Sequence, residues 1–508
     1  MTFIGVGEWL ARREQLTPDK IGLVDFETQT RLTYRELNQR TRALATVLQE
    51  QYGIQPGDRV AALALNSPEY LDAFFAVALL GAVLVPLNWR LTLRELAIIL
   101  TDCEPKLLLS DNQHNEQAVD AMKALDLKQD VKLLAMESFP GANAELAGRV
   151  VPFQSQDGEE PMLILYTSGT TGTPKGAMLS HRMITWNAVN TQISWGLRDT
   201  DITPTFAPFF HAGGWNVLTT PIYHCGGTII LLGKSDPATI LRATEQEKCT
   251  ILFAVPTVFQ MIMEQPDFES RDLSAIRFCI AGGSSCPVPL IKRYAARGLE
   301  FRQGYGLTEV GVNCFSLAPE DALRKAGSVG RPVFHSRARV VDDEDRDVGP
   351  NEVGELILAG PHMCSGYWKR REATEEAYRS GWWHTGDLVH CDEEGYYFIV
   401  GRKKDMFISG GENVYPAEVE GVLATHPEIA DVAVIAQPDP KWGEVGLAVV
   451  VLRTTQSLKA EEVIAYCNGK LARFKIPRTV VFVDVLPRNV MGKVIKTELR
   501  ARYVEQKA

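Results

Sequence analysis

The sequence predicts an α/β protein. A large, multi-subdomain N-terminal body of wound sheets spans residues 1–402, and a small α+β C-terminal domain spans 403–508. Three observations carry this prediction. Short, continuously apolar runs alternate with capped amphipathic runs through the first 110 residues, as in parallel strands covered by helices on both faces. The alternation resumes at MLILY (162–166) and continues through apolar runs at 228–232, 250–254 and 276–281. Beyond residue 404 the elements become shorter and more mixed.

The first elements follow from local chemistry. Thr33 with Glu36 makes a capping box that opens a helix running to about Gly53. Pro56-Gly57-Asp58 turns the chain into the strand RVAALAL. Ser67-Pro68 starts the next helix, with proline where its missing N–H does no harm; Gly81 ends it and AVLVPL returns as a strand. Thr92 with Glu95 repeats the capping box, and KLLLSD is the next strand. In the last hundred residues a helix starts at Pro416, VAVIA and LAVVVL are strands, a helix runs from Lys459 to Leu471, and VVFV is a strand. The polar, glycine-rich GRKKDMFISGGENVYP between the two parts is the best hinge segment.

Composition excludes several classes. With 45% hydrophobic and 23% charged residues the chain is neither disordered nor collagen-like. A net charge of −10 provides no basic excess for general nucleic-acid binding, though it leaves a local nucleotide pocket open. The start does not read as a signal peptide, and the most apolar stretch, 73–87, is interrupted by Gly81 and Pro86. It falls short of the ~20 residues needed to span a bilayer. Nine cysteines without a CxxC pair favour reduced thiols over disulfides or a zinc site. A cytoplasmic protein is expected.

The chemistry concentrates in Thr167-Ser168-Gly169-Thr170-Thr171-Gly172-Thr173-Pro174-Lys175-Gly176, directly after MLILY. Glycines let successive N–H groups point at one anion, the hydroxyls add donors, and Lys175 adds positive charge. The loop suits a polyphosphate. It is not a Walker A loop, because Pro174 stands where the second glycine belongs and Gly176 follows the lysine.

The string YTSGTTGTPKG resembles the signature of the adenylate-forming superfamily, which includes acyl-CoA synthetases, luciferases and nonribosomal adenylation domains. GYGLTE (304–309), TGD (385–387), GRKKD (401–405) and PRNVMGK (487–493) follow in the family's order, so the resemblance covers nearly the whole chain. It implies ATP, Mg²⁺ and CoA as reactants and cofactor. Gly304 and Tyr305 would meet the adenine, Thr308 a phosphate, and Glu309 the Mg²⁺, a hard cation that prefers oxygen. Asp387 and Arg402 would flank the ribose, and Lys493 would stabilise charge growing at the α-phosphate. The same resemblance makes Lys404 the hinge of a mobile C-terminal domain and places Gly410-Gly411 along the pantetheine route. In FAPFFHAGGW (206–215), His211 would lie beside the substrate carboxylate, with Trp215 in the substrate pocket. Amino-acid-activating domains resemble FDxS there; the missing acid favours a substrate with an uncharged tail. Gly282 and Gly283, in the AGGSS loop, would leave room for adenine and acyl group.

The expected reaction has two halves: a carboxylic acid attacks the α-phosphate of ATP, and CoA then displaces AMP. Stretches such as EDALRKAGSVGR, ISGGENVYPAEVE and PDPKWGE are most similar to bacterial fatty-acid–CoA ligases, so a medium- or long-chain fatty acid is the first expectation. Aromatic-acid ligases of the coumarate or ferulate type are the alternative. An acyl-carrier-protein ligase shares every motif, and a luciferase-like oxygenase would use the same adenylate. A non-enzymatic ATP sensor is disfavoured because Lys175, Glu309 and Lys493 are intact. The expected partners are therefore small molecules, with peripheral membrane contact and a homodimer both left open.

Overall fold

The computed structural model describes residues 3–124, 131–167, 174–234, 236–284, 286–453, 458–488 and 494–505. Its first sheet has six strands in the order Lys132–Ala135, Leu107–Ser110, Arg59–Leu63, Val83–Pro86, Pro161–Thr167 and Lys175–Ser180. The first five are parallel, and Lys175–Ser180 folds back antiparallel on Pro161–Thr167. The second sheet orders Arg31–Thr33, Ile21–Asp25, Thr228–Leu231 and Ile202–Thr205. Beside it lies a parallel trio, Ile251–Ala254, Phe278–Ala281 and Phe301–Gln303, joined where Thr250 N donates to Ile202 O at 2.8 Å.

Both capping boxes form as the residue pattern requires. Thr33 opens Tyr34–Glu50 and Thr92 opens Leu93–Cys103. Ser67 accepts from Tyr70 N at the head of Pro68–Leu79, a helix buried at every position from Tyr70 on. Such a helix has no polar stripe because it is enclosed on all sides. Phe74 stacks on Trp215 at 4.2 Å, and Phe209 stacks on the same indole at 4.0 Å. Each such ring contributes about 1.5–3 kcal/mol by leaving water.

The wound pattern does not extend to residue 402. Arg337–Val341, Gly354–Ala359, Trp382–Cys391 and Tyr397–Arg402 form an antiparallel sheet. Gly395 (φ 81°) sits in the tight turn between Trp382–Cys391 and Tyr397–Arg402, and so short a connection allows only antiparallel pairing.

The C-terminal part has its own sheet, containing Phe407–Ser409, Glu412–Val414, Ile429–Asp439, Gly443–Leu452 and Thr479–Phe482. Its two apolar clusters contain only residues from Phe407 onward. The helix expected from Lys459 to Leu471 covers Ala460–Tyr466, because Asn468-Gly469, with Gly469 at φ 75°, turns the chain. The hinge segment is ordered rather than loop-like: Lys403–Asp405 is a single 3₁₀ turn, followed by a hairpin turning at Gly410-Gly411. All nine cysteines are unpaired, and only Cys391 is not fully buried. Among the described residues no helix is long and apolar enough to cross a membrane.

Candidate active site

A cavity of about 350 Å³ opens where several strands end. Thr167, Ala281 and Gly304 lie at or just beyond the carboxyl ends of Pro161–Thr167, Phe278–Ala281 and Phe301–Gln303. Ligands of open α/β sheets bind outside such strand ends. Thr385 and Arg402 approach from the antiparallel sheet, and His211 from the segment after Ile202–Thr205.

The loop expected to take a polyphosphate joins two hairpin strands, with Thr167 paired opposite Lys175. The Lys175 ammonium lies 5.3 Å from the centre of the Tyr367 ring. Ser168, Gly169, Thr170, Thr171 and Gly172 lie outside the described residues, as does Lys493.

Gly304 N donates to Ala281 O at 2.7 Å, fixing the start of GYGLTE to the strand end. Gly306 packs so closely on Val312 that a Cβ there would overlap its backbone. Tyr305 Oη donates to Asp387 Oδ2 at 2.6 Å. Arg402 Nε reaches Asp387 Oδ1 at 2.9 Å, and the two are cross-strand partners. Burial opposes the Arg402 charge, but Asp387 together with Tyr305, Asp405 and Glu309 more than restores it and keeps the guanidinium ionised. Burial, together with the Asp387 charge, raises the Tyr305 phenol well above its ordinary range. Both Asp387 oxygens thus have fixed partners, yet a carboxylate has lone pairs left for further donors.

Thr308 and Glu309 begin the 3₁₀ turn Thr308–Val310 on the cavity wall. Tyr367 Oη donates to Glu309 Oε1 at 3.0 Å, and Cys364 N holds the Glu309 carbonyl at 2.9 Å. Burial raises the Glu309 carboxyl, opposed by hydrogen bonds and by Arg402. Among the described residues no group of three or more His, Cys, Asp or Glu side chains converges to hold a metal ion. One carboxylate on the wall of a cavity fits Mg²⁺, which takes few protein ligands and fills the rest with substrate and water.

His211 precedes the short helix Ala212–Asn216. Burial pulls its imidazole down to about 3, and Arg90 adds to the effect, so the ring is neutral at physiological pH. Its Nε2 is buried without a hydrogen-bond partner and the residue lines the cavity. Lys404 lines the cavity too; burial, with Arg402 nearby, lowers its ammonium.

The structure thus brings together Thr167, Lys175, His211, Gly282, Gly283, Gly304, Tyr305, Thr308, Glu309, Arg402 and Lys404, with Asp387 directly behind. Trp215 does not line the cavity. It is fully buried between Phe74 and Phe209, its Nε1 donating to Phe209 O, because a large ring in an apolar segment is drawn into the core. Gly410-Gly411 also lie away from the cavity, with Gly410 packed against Trp442. Tyr367, His384 and Asn313 line the cavity and were not singled out in the sequence. A lone residue far along the chain from its partner, as Tyr367 is from Glu309, leaves no spacing signal.

A family model described as "AMP-binding enzyme" matches residues 10–368, and one described as "AMP-binding enzyme C-terminal domain" matches 418–493. The chain is 41% identical over 499 residues to a feruloyl-CoA synthase of an Amycolatopsis species, covering 98% of this chain and 99% of that protein. It is 37% identical over 506 residues to the long-chain-fatty-acid–CoA ligase FadD13 of Mycobacterium tuberculosis, covering 98% of each. The crystal structure of ATP-bound MatB from Rhodopseudomonas palustris superposes with a TM-score of 0.90 at 32% identity, over 99% of this chain and 100% of that one.

Proposed function

The chain belongs to the AMP-binding enzyme family, in its acyl-CoA synthetase branch, and from that premise we propose that it activates a compact, ring-bearing carboxylic acid. At the coarser level it is an ATP-dependent CoA ligase. The observation that carries the finer reading is the size and lining of the cavity. About 350 Å³ is shared between nucleotide and acyl group, and Trp195, Val217, Phe253 and Val312 give one end apolar walls. That volume is at the small end for ligand pockets. It favours a planar ring over the medium- or long-chain fatty acid put first from sequence. The likeness to a feruloyl-CoA synthase supports the same choice.

In the first half-reaction a carboxylate oxygen bonds to the α-phosphorus and the bond to pyrophosphate breaks. Gly282, Gly283 and Tyr305 flank the adenine, and Asp387 accepts from the ribose hydroxyls while Arg402 donates to them. Lys175, Thr308 and the loop donors hold the phosphates, so that positioning and charge supply most of the rate. Glu309 would hold Mg²⁺, which when bound would supply positive charge to the phosphates. His211, neutral and with its enclosed Nε2 unpaired, orients the substrate carboxylate by a hydrogen bond once the ring turns toward the cavity. Trp215 supports that segment from behind through its stack on Phe209. Lys493 meets the charge growing at the α-phosphate. In the second half the small domain turns about Lys404 and Gly410-Gly411 face the pantetheine arm. The CoA sulfur bonds to the acyl carbon, the bond to AMP breaks, and the thiol proton passes to solvent.

Steady-state AMP release with ATP, Mg²⁺ and CoA, over benzoate, cinnamate, coumarate, ferulate, octanoate, laurate and palmitate, tests the substrate class. The expected result is a kcat/KM for the best ring acid at least about tenfold above every alkyl acid. A chain-length optimum among the alkyl acids, with the ring acids poor, would overturn it.

A further inference from the structure

Asn313 is a polar side chain on the cavity wall between apolar neighbours. It is 3% exposed and lies next to Val312, on the wall shared with Val217 and Trp195. The Trp195 indole N–H points away, to Phe315 O. The Asn313 amide nitrogen sits 2.7 Å from Thr191 Oγ1, 3.0 Å from Asn216 O and 2.9 Å from Val217 O. Two of these are carbonyls. The third, the Thr191 hydroxyl, sends its own hydrogen to Asn187 O at 2.7 Å and so accepts as well. Three acceptors around one end of an amide fix which end is NH₂. The oxygen must point the other way, and among the described residues no donor reaches it. Asn313 itself lines the cavity.

Resting on the ring-acid reading above, we infer that Asn313 determines specificity: its amide oxygen accepts a hydrogen bond from an O–H or N–H donor on the substrate ring. Val217 and Val312 offer that end of the acid only apolar contact, and Trp195 has its one donor engaged elsewhere. A ring without a donor therefore buries the Asn313 oxygen unpaired, and a site built to bond a substrate O–H or N–H rejects the analogue that lacks it. The Asn216 segment follows His211 directly, so the group that orients the carboxylate and the group that reads the ring are held by one stretch of chain. The acid is then gripped at two places, its carboxylate and its donor.

The test uses the full-length enzyme with ATP, Mg²⁺ and CoA and compares matched acids. The pairs are 4-hydroxycinnamate and 3-hydroxycinnamate against cinnamate and their methyl ethers, and indole-3-acetate against 1-methylindole-3-acetate. At least one donor-bearing acid should exceed its donor-free partners by about tenfold or more in kcat/KM, chiefly through KM. Asn313→Leu should bring that ratio close to one. Because leucine leaves Asn216 O and Val217 O without their donor, a variant that fails to fold is set aside and the wild-type series decides alone. Ring acids turned over with no preference for a donor would overturn the role of Asn313 and leave the ring-acid reading standing. So would a ratio unchanged in folded Asn313→Leu. Turnover of alkyl acids alone would remove the ring-acid reading and this inference with it.

Discussion

Lys493→Ala should cut acid-dependent pyrophosphate release by about two to three orders of magnitude. Thioester formation from a supplied acyl-adenylate should persist at close to the wild-type rate. The asymmetry follows from when charge develops. During adenylation negative charge accumulates on the α-phosphoryl oxygens and the leaving pyrophosphate, where a fixed ammonium contributes most. During thioesterification the leaving group is AMP, and the proposed turn about Lys404 has exchanged the lysine for the Gly410-Gly411 face. Stopped-time assays of each half-reaction separate the two. An equal loss in both halves would remove Lys493 from this role.

Asp387→Ala should be the most damaging change among the described residues of the nucleotide pocket. Asp387 is 4% exposed and joins three elements: Tyr305 from the GYGLTE turn, Arg402 on the neighbouring strand, and its own strand Trp382–Cys391. Removing it costs the two acceptors proposed for the ribose hydroxyls, and kcat/KM for ATP should fall about 100-fold. It also leaves the Arg402 guanidinium without its counter-charge. Breaking a buried pair costs about 3–5 kcal/mol, and because the Arg402 side chain keeps 33% exposure the low end applies. Thermal unfolding and ATP kinetics measured together check both effects. A variant with unchanged KM for ATP and unchanged melting temperature would contradict the assignment.

Much of the body was legible because its signals are local. The Thr33–Glu36 and Thr92–Glu95 boxes, Ser67-Pro68 and the short apolar strands state their conformations within a few residues of chain. The cavity-lining motif GYGLTE was legible for a related reason: it packs several chemistry-bearing residues, Tyr305, Thr308 and Glu309, into one turn. Positions set by long-range packing were not legible. The antiparallel sheet from Arg337 to Arg402 is defined by which strands meet, and its mixed burial resembles half-covered strands of many folds. Trp215 sits beside a pocket-lining histidine in sequence, but stacking on Phe74 and Phe209 turns it into the core. Asn313 carries no pattern of its own. Its orientation is fixed by Thr191, Asn216 and Val217, roughly a hundred residues earlier in the chain. Tyr367 meets Glu309 across 58 residues of chain, a distance no local pattern announces.

The central claim is that the acid's own carboxylate oxygen attacks the α-phosphorus of ATP. The most direct measurement supplies a ring acid carrying ¹⁸O in both carboxyl oxygens, with ATP, Mg²⁺ and CoA, and analyses the products by mass spectrometry. The account predicts one ¹⁸O in the phosphate of each AMP formed, one ¹⁸O in the thioester carbonyl, and none in pyrophosphate. AMP free of label, or label appearing in inorganic phosphate alongside ADP, would contradict it.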